Sequence, residues 1–482
     1  MKNWLFIFMF ILGGQHSQAV MTGEWIYIPV DYTFWMDAKE LQTKNQFSDL
    51  MKFASAREAK YGIKTAKGAE AALFVAQTLK TQGFSALSFE IFKKIVTIHP
   101  GSMPALQSLL EINSMTDLAN SDEEVLSRLI SVANFTEYPK ELESMISYYT
   151  ALDNMRTGLT SWIRPAFEKI DPKSQWGHRI RYYQALEKIK NNDLESAKEI
   201  FKELVEDPTT GEKIKYKSSW NTARIFFEQK EYDKAEHIFY QLTFTGRDLG
   251  QSLLERAWIR YYKKDYSTAL GMLELFKASY FNNSRNTEQD LLAMFIYRDL
   301  CHYPSVKQRL REFEGVYLSL INQIRNRKKV ENNDLMLTQV LIHSPYKEKA
   351  DVVQHLREER DRFTEQYGKK LEGILKVTFN ESLAHEKTVK KTLQRLIPDL
   401  IEREEDRLLM GYDNLQLLDY ASDLDELRIK QVVEKRSYAS QKITNMEFDQ
   451  LFWPAVGEFW WEEFKNYKVL IDDRCSTKKV EQ

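Results

Sequence analysis

A repeated twelve-residue step between small side chains is the feature that most limits how this chain can fold. Windows beginning at Ala185, Ala223 and Ala257 each have a second alanine 12 positions later, and Ala76 is followed by Ser88 at the same spacing. Antiparallel helices approach closely only where side chains are small, so one small residue on each helix permits that contact. The step therefore predicts consecutive helix pairs, the alternative being a helical bundle in which the spacing arises by chance.

Each window continues with large apolar residues 4 and 7 positions beyond its second small residue, on one helical face. We expect this face to fill the gap to the next helix pair. The full windows are Ala76, Ser88, Phe92 and Ile95; Ala185, Ala197, Phe201 and Leu204; Ala223, Ala235, Phe239 and Leu242; and Ala257, Ala269, Leu273 and Phe276. Turn residues lie between the two small positions of each window, at Gln82–Phe84, Asn191–Leu194, Lys230–Tyr232 and Lys264–Tyr266.

These windows resemble the tetratricopeptide repeat family. The stretch Glu231–Phe239 is similar to the family's turn and second helix, and Asp265–Ala269 is similar to another copy. The resemblance covers about residues 180–276 and 70–100. The family's turn glycine survives only as Gly83, which leaves the number and boundaries of the repeats open. The resemblance implies an all-α helical-repeat solenoid that holds partner proteins together.

In a tetratricopeptide stack the first helix of each repeat lines a concave groove, so the resemblance also implies a binding surface. We call its positions in this chain the groove residues, and they are Arg179, Tyr182, Lys217, Trp220, Arg224, Trp258, Tyr261 and Tyr262. Basic and aromatic side chains suit an extended peptide or an acidic segment, through ion pairs and stacking. The alternative is that the aromatic members fill the interior of a tight superhelix.

The first residues have the character of a secretory signal peptide. Lys2 supplies a positive charge, and the apolar stretch Trp4–Leu12 is too short to span a bilayer. Small residues at Ser17 and Ala19 predict cleavage near Ala19, with residues 1–19 as the signal peptide. We therefore expect a periplasmic or secreted protein, the alternative being an uncleaved N-terminal anchor.

Export would place both cysteines of the chain, Cys301 and Cys475, in an oxidising compartment. An even number permits one disulfide between them. The alternative is a small buried thiol on a helix and a free thiol in the tail, and only the distance between the two residues decides.

We divide the rest of the chain into four regions by sequence character. Residues 20–57 are expected to form an extended arm, with a short strand at Trp25–Val30, and a first helix. Residues 58–317 form the helical-repeat solenoid. Residues 318–440 are highly charged and predict a long helical hairpin, and residues 441–482 form a short aromatic tail.

An apolar stripe with spacings of three and four runs along the predicted hairpin, formed by Val353, Leu356, Phe363, Tyr367, Leu371 and Ile374. The stripe favours an arm packed on the solenoid over an oligomerising coil, because it is too short for several heptads. Pro398 is expected to kink or interrupt the helix that follows.

The tail combines a dense aromatic run with a possible strand. The run is Phe452–Trp461, and the tail as a whole resembles that of exported repeat proteins of predatory and gliding deltaproteobacteria. The stretch Tyr467–Ile471 predicts a short strand, and the N-terminal strand at Trp25–Val30 is its candidate partner. Because an exposed aromatic patch is rare in soluble monomers, we expect the tail to dock on the chain's own helices, with a partner-binding site as the alternative.

Signatures of catalysis are missing from the sequence. It has no Gly-rich phosphate loop, no GxSxG elbow and no HExxH, and its 8 histidines show no metal-ligand spacing. A net charge of −2 gives no reason to expect nucleic acid. We therefore expect a non-enzymatic scaffold, without a cofactor or metal, that binds envelope proteins or extended peptide segments. The alternatives are a glycan- or lipid-binding solenoid and a cell-wall glycan hydrolase with an acid pair such as Glu458 and Glu462.

Overall fold

The chain is all-α. The computed structural model describes residues 27–115, 123–133, 138–245, 248–277, 287–341, 344–367, 373–433 and 467–475. Every regular element in these ranges is a helix, which confirms the predicted fold class at that level. Consecutive helices pack on one another, as in a helical repeat array. The predicted signal peptide 1–19 and the aromatic run Phe452–Trp461 lie outside the described residues.

The first of two compact units contains the chain up to Lys169 together with Glu359–Ser382. Its own helices are α1 (Tyr32–Thr43), α2 (Phe47–Tyr61), α3 (Ala66–Thr81), α4 (Ser85–Ile98), α5 (Met103–Asn113), α6 (Glu123–Ala133), α7 (Glu143–Thr157) and α8 (Ile163–Phe167). Buried carboxylates hold several of its helix starts. The backbone N–H groups of Ala86 and Leu87 donate to the Glu359 carboxylate. These N–H groups lie in the first turn of α4, where the helix itself offers no acceptor.

The second unit contains Ile170–Glu358 and the chain from Leu383 onward. Its own helices are α9 (Gln175–Lys190), α10 (Leu194–Glu206), α11 (Glu212–Glu228), α12 (Tyr232–Thr243), α13 (Leu249–Tyr262), α14 (Tyr266–Glu274), α15 (Thr287–Asp299), α16 (Tyr303–Arg325) and α17 (Asp334–Leu341). Two long helices, α18 (Ser344–Tyr367) and α19 (Gly373–Val433), contribute residues to both units. Each unit therefore contains part of the predicted repeat region 58–317.

One turn geometry recurs throughout the helix pairs. In the turn between α11 and α12, Lys230 adopts φ +64°, and its N–H donates to the carbonyl of Phe227. The N–H of Glu231 donates to the carbonyl of Phe226, which completes a Schellman motif. The same pair of bonds surrounds a left-handed residue in eight turns of the described chain, at Asn45, Gly83, Gly158, Asn192, Lys230, Lys264, Cys301 and Arg327. The turns thus keep repeat geometry although only two of these eight positions are glycines.

The predicted small positions lie at the helix–helix contacts. All the alanines of the four windows, and Ser88, are buried. In the second unit, Ala223 and Ala235 share a core cluster with Phe239 and Leu242, and Ala185 and Ala197 begin the equivalent cluster one pair earlier. The helix-pair prediction is therefore confirmed for these windows.

The N-terminal region departs from the prediction of an arm with one helix. Helices α1 and α2 form a pair joined by the turn at Asn45, so pair geometry begins before residue 58. The described part of the predicted strand, Tyr27–Val30, is not a strand. Its polar groups bind Glu70 instead, through the Tyr27 hydroxyl at 3.1 Å and the Val30 N–H at 2.9 Å. The described residues of the two predicted strands, 27–30 and 467–471, form no strand, so the predicted strand pairing is not found among them.

The predicted hairpin is formed by α18 and α19. Four members of its apolar stripe are buried and Tyr367 is half-buried; the buried ones are Val353, Leu356, Phe363 and Ile374. Val353 packs against Val389 and Leu393 of α19 in the second unit. Within the first unit, Phe363 lies against the ring of Phe84 at 5.6 Å. Helix α19 continues through Pro398, so the expected interruption does not occur.

Candidate binding site

The groove residues lie on α9, α11 and α13, which are the first helices of three consecutive pairs. Side-chain caps hold the starts of helices in these pairs. The Ser174 hydroxyl accepts from the Gly177 N–H at the start of α9. Asp193 and Asp265 accept backbone N–H groups at the starts of the second helices α10 and α14. Repetition of the pairs therefore sets the three first helices side by side.

Two of the aromatic groove residues occupy the same repeat position and pack into their own helix pair. Tyr182 and Trp220 each lie three residues before the first alanine of their window. The ring of Tyr182 lies 5.7 Å from that of Phe201, and Trp220 makes an edge contact with Phe239 at 5.1 Å. These rings partly fill the interior of each pair, as the alternative interpretation expected.

Polar groups of the groove residues bridge each first helix to the next. The Asn221 amide donates to the Tyr182 hydroxyl at 3.1 Å. Arg224 donates to Glu255 at 2.5 Å, and the Trp258 indole donates to Glu288 at 2.7 Å. The Tyr261 hydroxyl donates to Asp299 at 2.9 Å. These four bonds join α9 to α11, α11 to α13 and α13 to α15, so much of the predicted groove chemistry also holds the array together.

The tyrosines at the end of α13 belong to an aromatic cluster. The ring of Tyr262 stacks on Tyr232 at 5.8 Å, meets Phe227 at 5.4 Å, and remains half exposed. The ring of Tyr261 meets that of Tyr262 at 5.4 Å. Burial, and then the hydrogen bond to Asp299, raise the pKa of Tyr261 well above its usual value. The Tyr261 hydroxyl therefore keeps its proton at physiological pH and donates the hydrogen bond to Asp299.

Lys217 differs from the other groove residues. It is exposed, and within the described part of the chain its ammonium makes no hydrogen bond or ion pair. Although the side chain is exposed, desolvation lowers the pKa of the Lys217 ammonium. The negative charge of Glu348 raises this pKa, and the positive charges of Lys213 and Arg179 lower it. Arg179 lies over the ring of Trp176 at 5.3 Å. This place on α9 and α11 combines positive charge with aromatic rings and one ammonium that has no acceptor among the described residues.

Sequence reasoning missed the hydrogen-bond partners of the groove residues, which are the donor Asn221 and the acceptors Glu255, Glu288 and Asp299. Each lies 30 to 39 positions beyond its partner, or about one repeat. A polar residue one repeat length after each groove position is the signal that could have identified them.

The C-terminal segment 467–475 is anchored to the second unit. The Val469 N–H donates to the carbonyl of Ser267 at 3.0 Å, and the Ser267 hydroxyl donates to the carbonyl of Val469 at 2.7 Å. Tyr467, Val469 and Ile471 pack against the core formed by α13, α14 and α15. The segment is extended but is not a strand, and it ends at the Cys301–Cys475 disulfide. The expected docking on the chain's own helices is thus observed for these nine residues.

Within the described ranges, no group of three or more His, Cys, Asp or Glu side chains could hold a metal ion. None of the described helices combines the length and apolar character needed to cross a membrane. The candidate acid pair Glu458 and Glu462 lies outside the described residues.

No model of a known protein family matches the chain, and no curated protein matches it.

Proposed function

We propose that this chain is an exported scaffold of a bacterial envelope complex, with a tetratricopeptide-like solenoid that binds an extended acidic segment of a partner protein. Consecutive helix pairs support this proposal, because such arrays present long surfaces to extended ligands. In it the chain acts by binding, without catalysis and without a cofactor.

The observation that carries the proposal is the state of Lys217. Its ammonium has neighbouring positive charges at Lys213 and Arg179 but no acceptor of its own in the described ranges. The side chain is exposed, so it is accessible to a partner, and the neighbouring positive charges favour an acidic ligand. A carboxylate from a partner would pair with this ammonium, and the rings of Tyr182 and Trp220 would contact the apolar part of the same segment.

The disulfide supports the proposed location. Disulfides persist in oxidising compartments and are rare where thiols are kept reduced. The Cys301–Cys475 bond therefore agrees with the periplasmic or secreted location expected from residues 1–19.

Crosslinking in envelope extract tests the proposal. We expect wild-type protein to capture a partner, and the crosslinked peptide of that partner to be rich in Asp and Glu. Lys217→Glu should weaken capture by about tenfold or more at low salt, because the charge that pairs with the acidic segment would be reversed. Lys202→Glu makes the same charge change at a highly exposed site on α10 and is the control.

Equal capture by both variants would contradict the proposed acidic-segment site. Failure to capture any protein would contradict the scaffold function as a whole. Clearing of peptidoglycan by wild type but not by Glu458→Gln would establish the hydrolase alternative in its place, and direct binding of glycan or lipid vesicles would favour the non-catalytic solenoid alternative.

A further inference from the structure

Helix α19 carries a row of apolar side chains that are exposed in the described part of the chain. We call this row the α19 stripe, and it consists of Met410, Leu417, Tyr420, Leu424 and Leu427. Their relative exposure ranges from 38% to 66%, which is high for large apolar side chains. Single exposed apolar residues are ordinary, but five in a row on one helix indicate an interaction surface.

The opposite face of α19 packs into the core of the second unit. Tyr412, Leu415 and Leu418 are buried in a core with Phe313 and Tyr317 of α16. With 3.6 residues per turn, these positions lie on the side of α19 away from the stripe. Helix α19 is therefore held rigidly by one face while the stripe points to solvent.

The spacing of the stripe is that of a coiled coil. Met410, Leu417 and Leu424 are separated by seven residues and occupy the a positions, while Tyr420 and Leu427 occupy d positions three residues later. The d position before them, Asp413, is bound to Arg325 of the same chain at 2.7 Å. The continuous apolar seam therefore runs from residue 417 to residue 427.

Charges beside the seam select the partner and its direction. In a parallel pair, each g position faces the e position five residues later on the other helix. Here the g residue Asp423 would face Arg428 of a second copy, and the reverse pair would form by symmetry. Arg428 is highly exposed, whereas Asp423 also contacts Lys307 at 2.6 Å. An antiparallel pair would instead set the two g flanks, each with Asp423, against one another.

We propose that the α19 stripe binds a second copy of this chain, in a parallel, in-register coiled coil of two α19 helices. The seam is self-complementary, since identical a and d residues meet across the symmetry axis and the flanking charges pair. The short seam predicts a weak dimer, which would present two copies of the candidate binding site to a common partner.

Site-specific crosslinking tests both the partner and the direction. Because Cys301 and Cys475 are bonded to each other, a cysteine placed at residue 417 or 427 is the only free thiol. We expect Leu417→Cys and Leu427→Cys each to form covalent dimers under mild oxidation. Tyr183→Cys, at an exposed position on α9, should not do so.

Light scattering on Leu417→Glu/Leu424→Glu supplies a second measurement. We expect this variant to be monomeric with unchanged helical content, and Phe244→Glu, at an exposed site outside the stripe, to dimerise as wild type does. Crosslinks between Met410→Cys and Leu427→Cys without self-crosslinks would overturn the parallel register. A wild-type protein that is monomeric and uncrosslinked, or that crosslinks only to another protein, would overturn self-association.

Discussion

Cys301 and Cys475 are separated by 174 residues in the sequence, yet their Cα atoms lie 5.3 Å apart. Cys301 is the left-handed residue of the turn between α15 and α16, so the disulfide fastens the C-terminal segment to a repeat turn. Next to it, the Nε2 atom of His302 lies 2.7 Å from the carbonyl oxygen of Asp472. Residues 467–475 are thus held by a disulfide and hydrogen bonds as well as by apolar packing.

Removing the disulfide should loosen this attachment. We expect Cys475→Ser to destabilise the protein by about 2–4 kcal/mol, because the unfolded chain is no longer crosslinked. Denaturant unfolding measures the change, and limited proteolysis should show faster cleavage near residue 467. The double variant Cys301→Ser/Cys475→Ser should unfold like either single variant, and an additive loss would show that the thiols act separately.

A glycine on α14 should be needed for tail docking. A Cβ added at Gly271 would lie 2.1 Å from the carbonyl oxygen of Tyr467, whereas one added at Gly315 meets nothing within 4 Å. Alanine at either helical site favours the helix by roughly 0.5–1 kcal/mol. We therefore expect Gly315→Ala to raise the melting temperature and Gly271→Ala to expose residues 467–475 to proteolysis. Equal protease resistance of the two variants would contradict the close approach.

The small residues of the repeat core should not tolerate enlargement. Ala223 and Ala235 are fully buried at the contact between α11 and α12. Ala223→Leu or Ala235→Leu should destabilise by about 1–3 kcal/mol, because no space exists for the added methyl groups. Thermal unfolding is the measurement, with Glu228→Leu at an exposed position of α11 as the control. Wild-type stability of both alanine variants would show that the repeat register is wrong.

Glycine at a left-handed turn position should increase the stability of the protein. Lys230 adopts φ +64°, a conformation that costs a residue with a Cβ roughly 1–2 kcal/mol. Glycine has no such penalty but gains entropy in the unfolded chain, so Lys230→Gly should stabilise by about 0.5–1 kcal/mol. Lys202→Gly, within α10, should instead destabilise by about 1 kcal/mol. Unfolding curves that place both variants below wild type would contradict the turn assignment.

Glu70 should make stability depend on pH. Its burial raises its pKa above the ordinary 4.5, although the N–H groups of Val30 and Asp31 and the Tyr27 hydroxyl oppose the change. The folded state therefore retains the proton longer than the unfolded state, and the contribution of Glu70 is complete below pH 4.5 and declines as the pH rises through its folded pKa.

Denaturant titrations of wild type and Glu70→Gln across this window provide the measurement. We expect the stability of wild type relative to the variant to decrease from pH 4 upward and then level off. Glu40→Gln is the control, because the exposed Glu40 has a pKa lowered by Lys44 and predicts a trend of opposite sign. A rising difference for Glu70 would show that its hydrogen bonds outweigh its burial.

The sequence by itself determined the helix pairs, because the contact between two helices is local. The step from Ala223 to Ala235 and the turn between them belong to one short segment, so their spacing is visible without any distant residue. The small residues are buried for this reason, and the turn at Lys230 keeps its geometry without a glycine.

Only the tertiary structure decided which distant groups meet. The acceptors of the groove residues lie one repeat later, and the alternatives for Cys301 and Cys475 were equal until their distance was known. The N-terminal segment shows strand-like alternation, but its described residues 27–30 form no strand, and the Val30 N–H donates to Glu70. Helical and strand periodicity report which face of an element is apolar, whereas the identity of the opposing residue depends on how the whole chain packs.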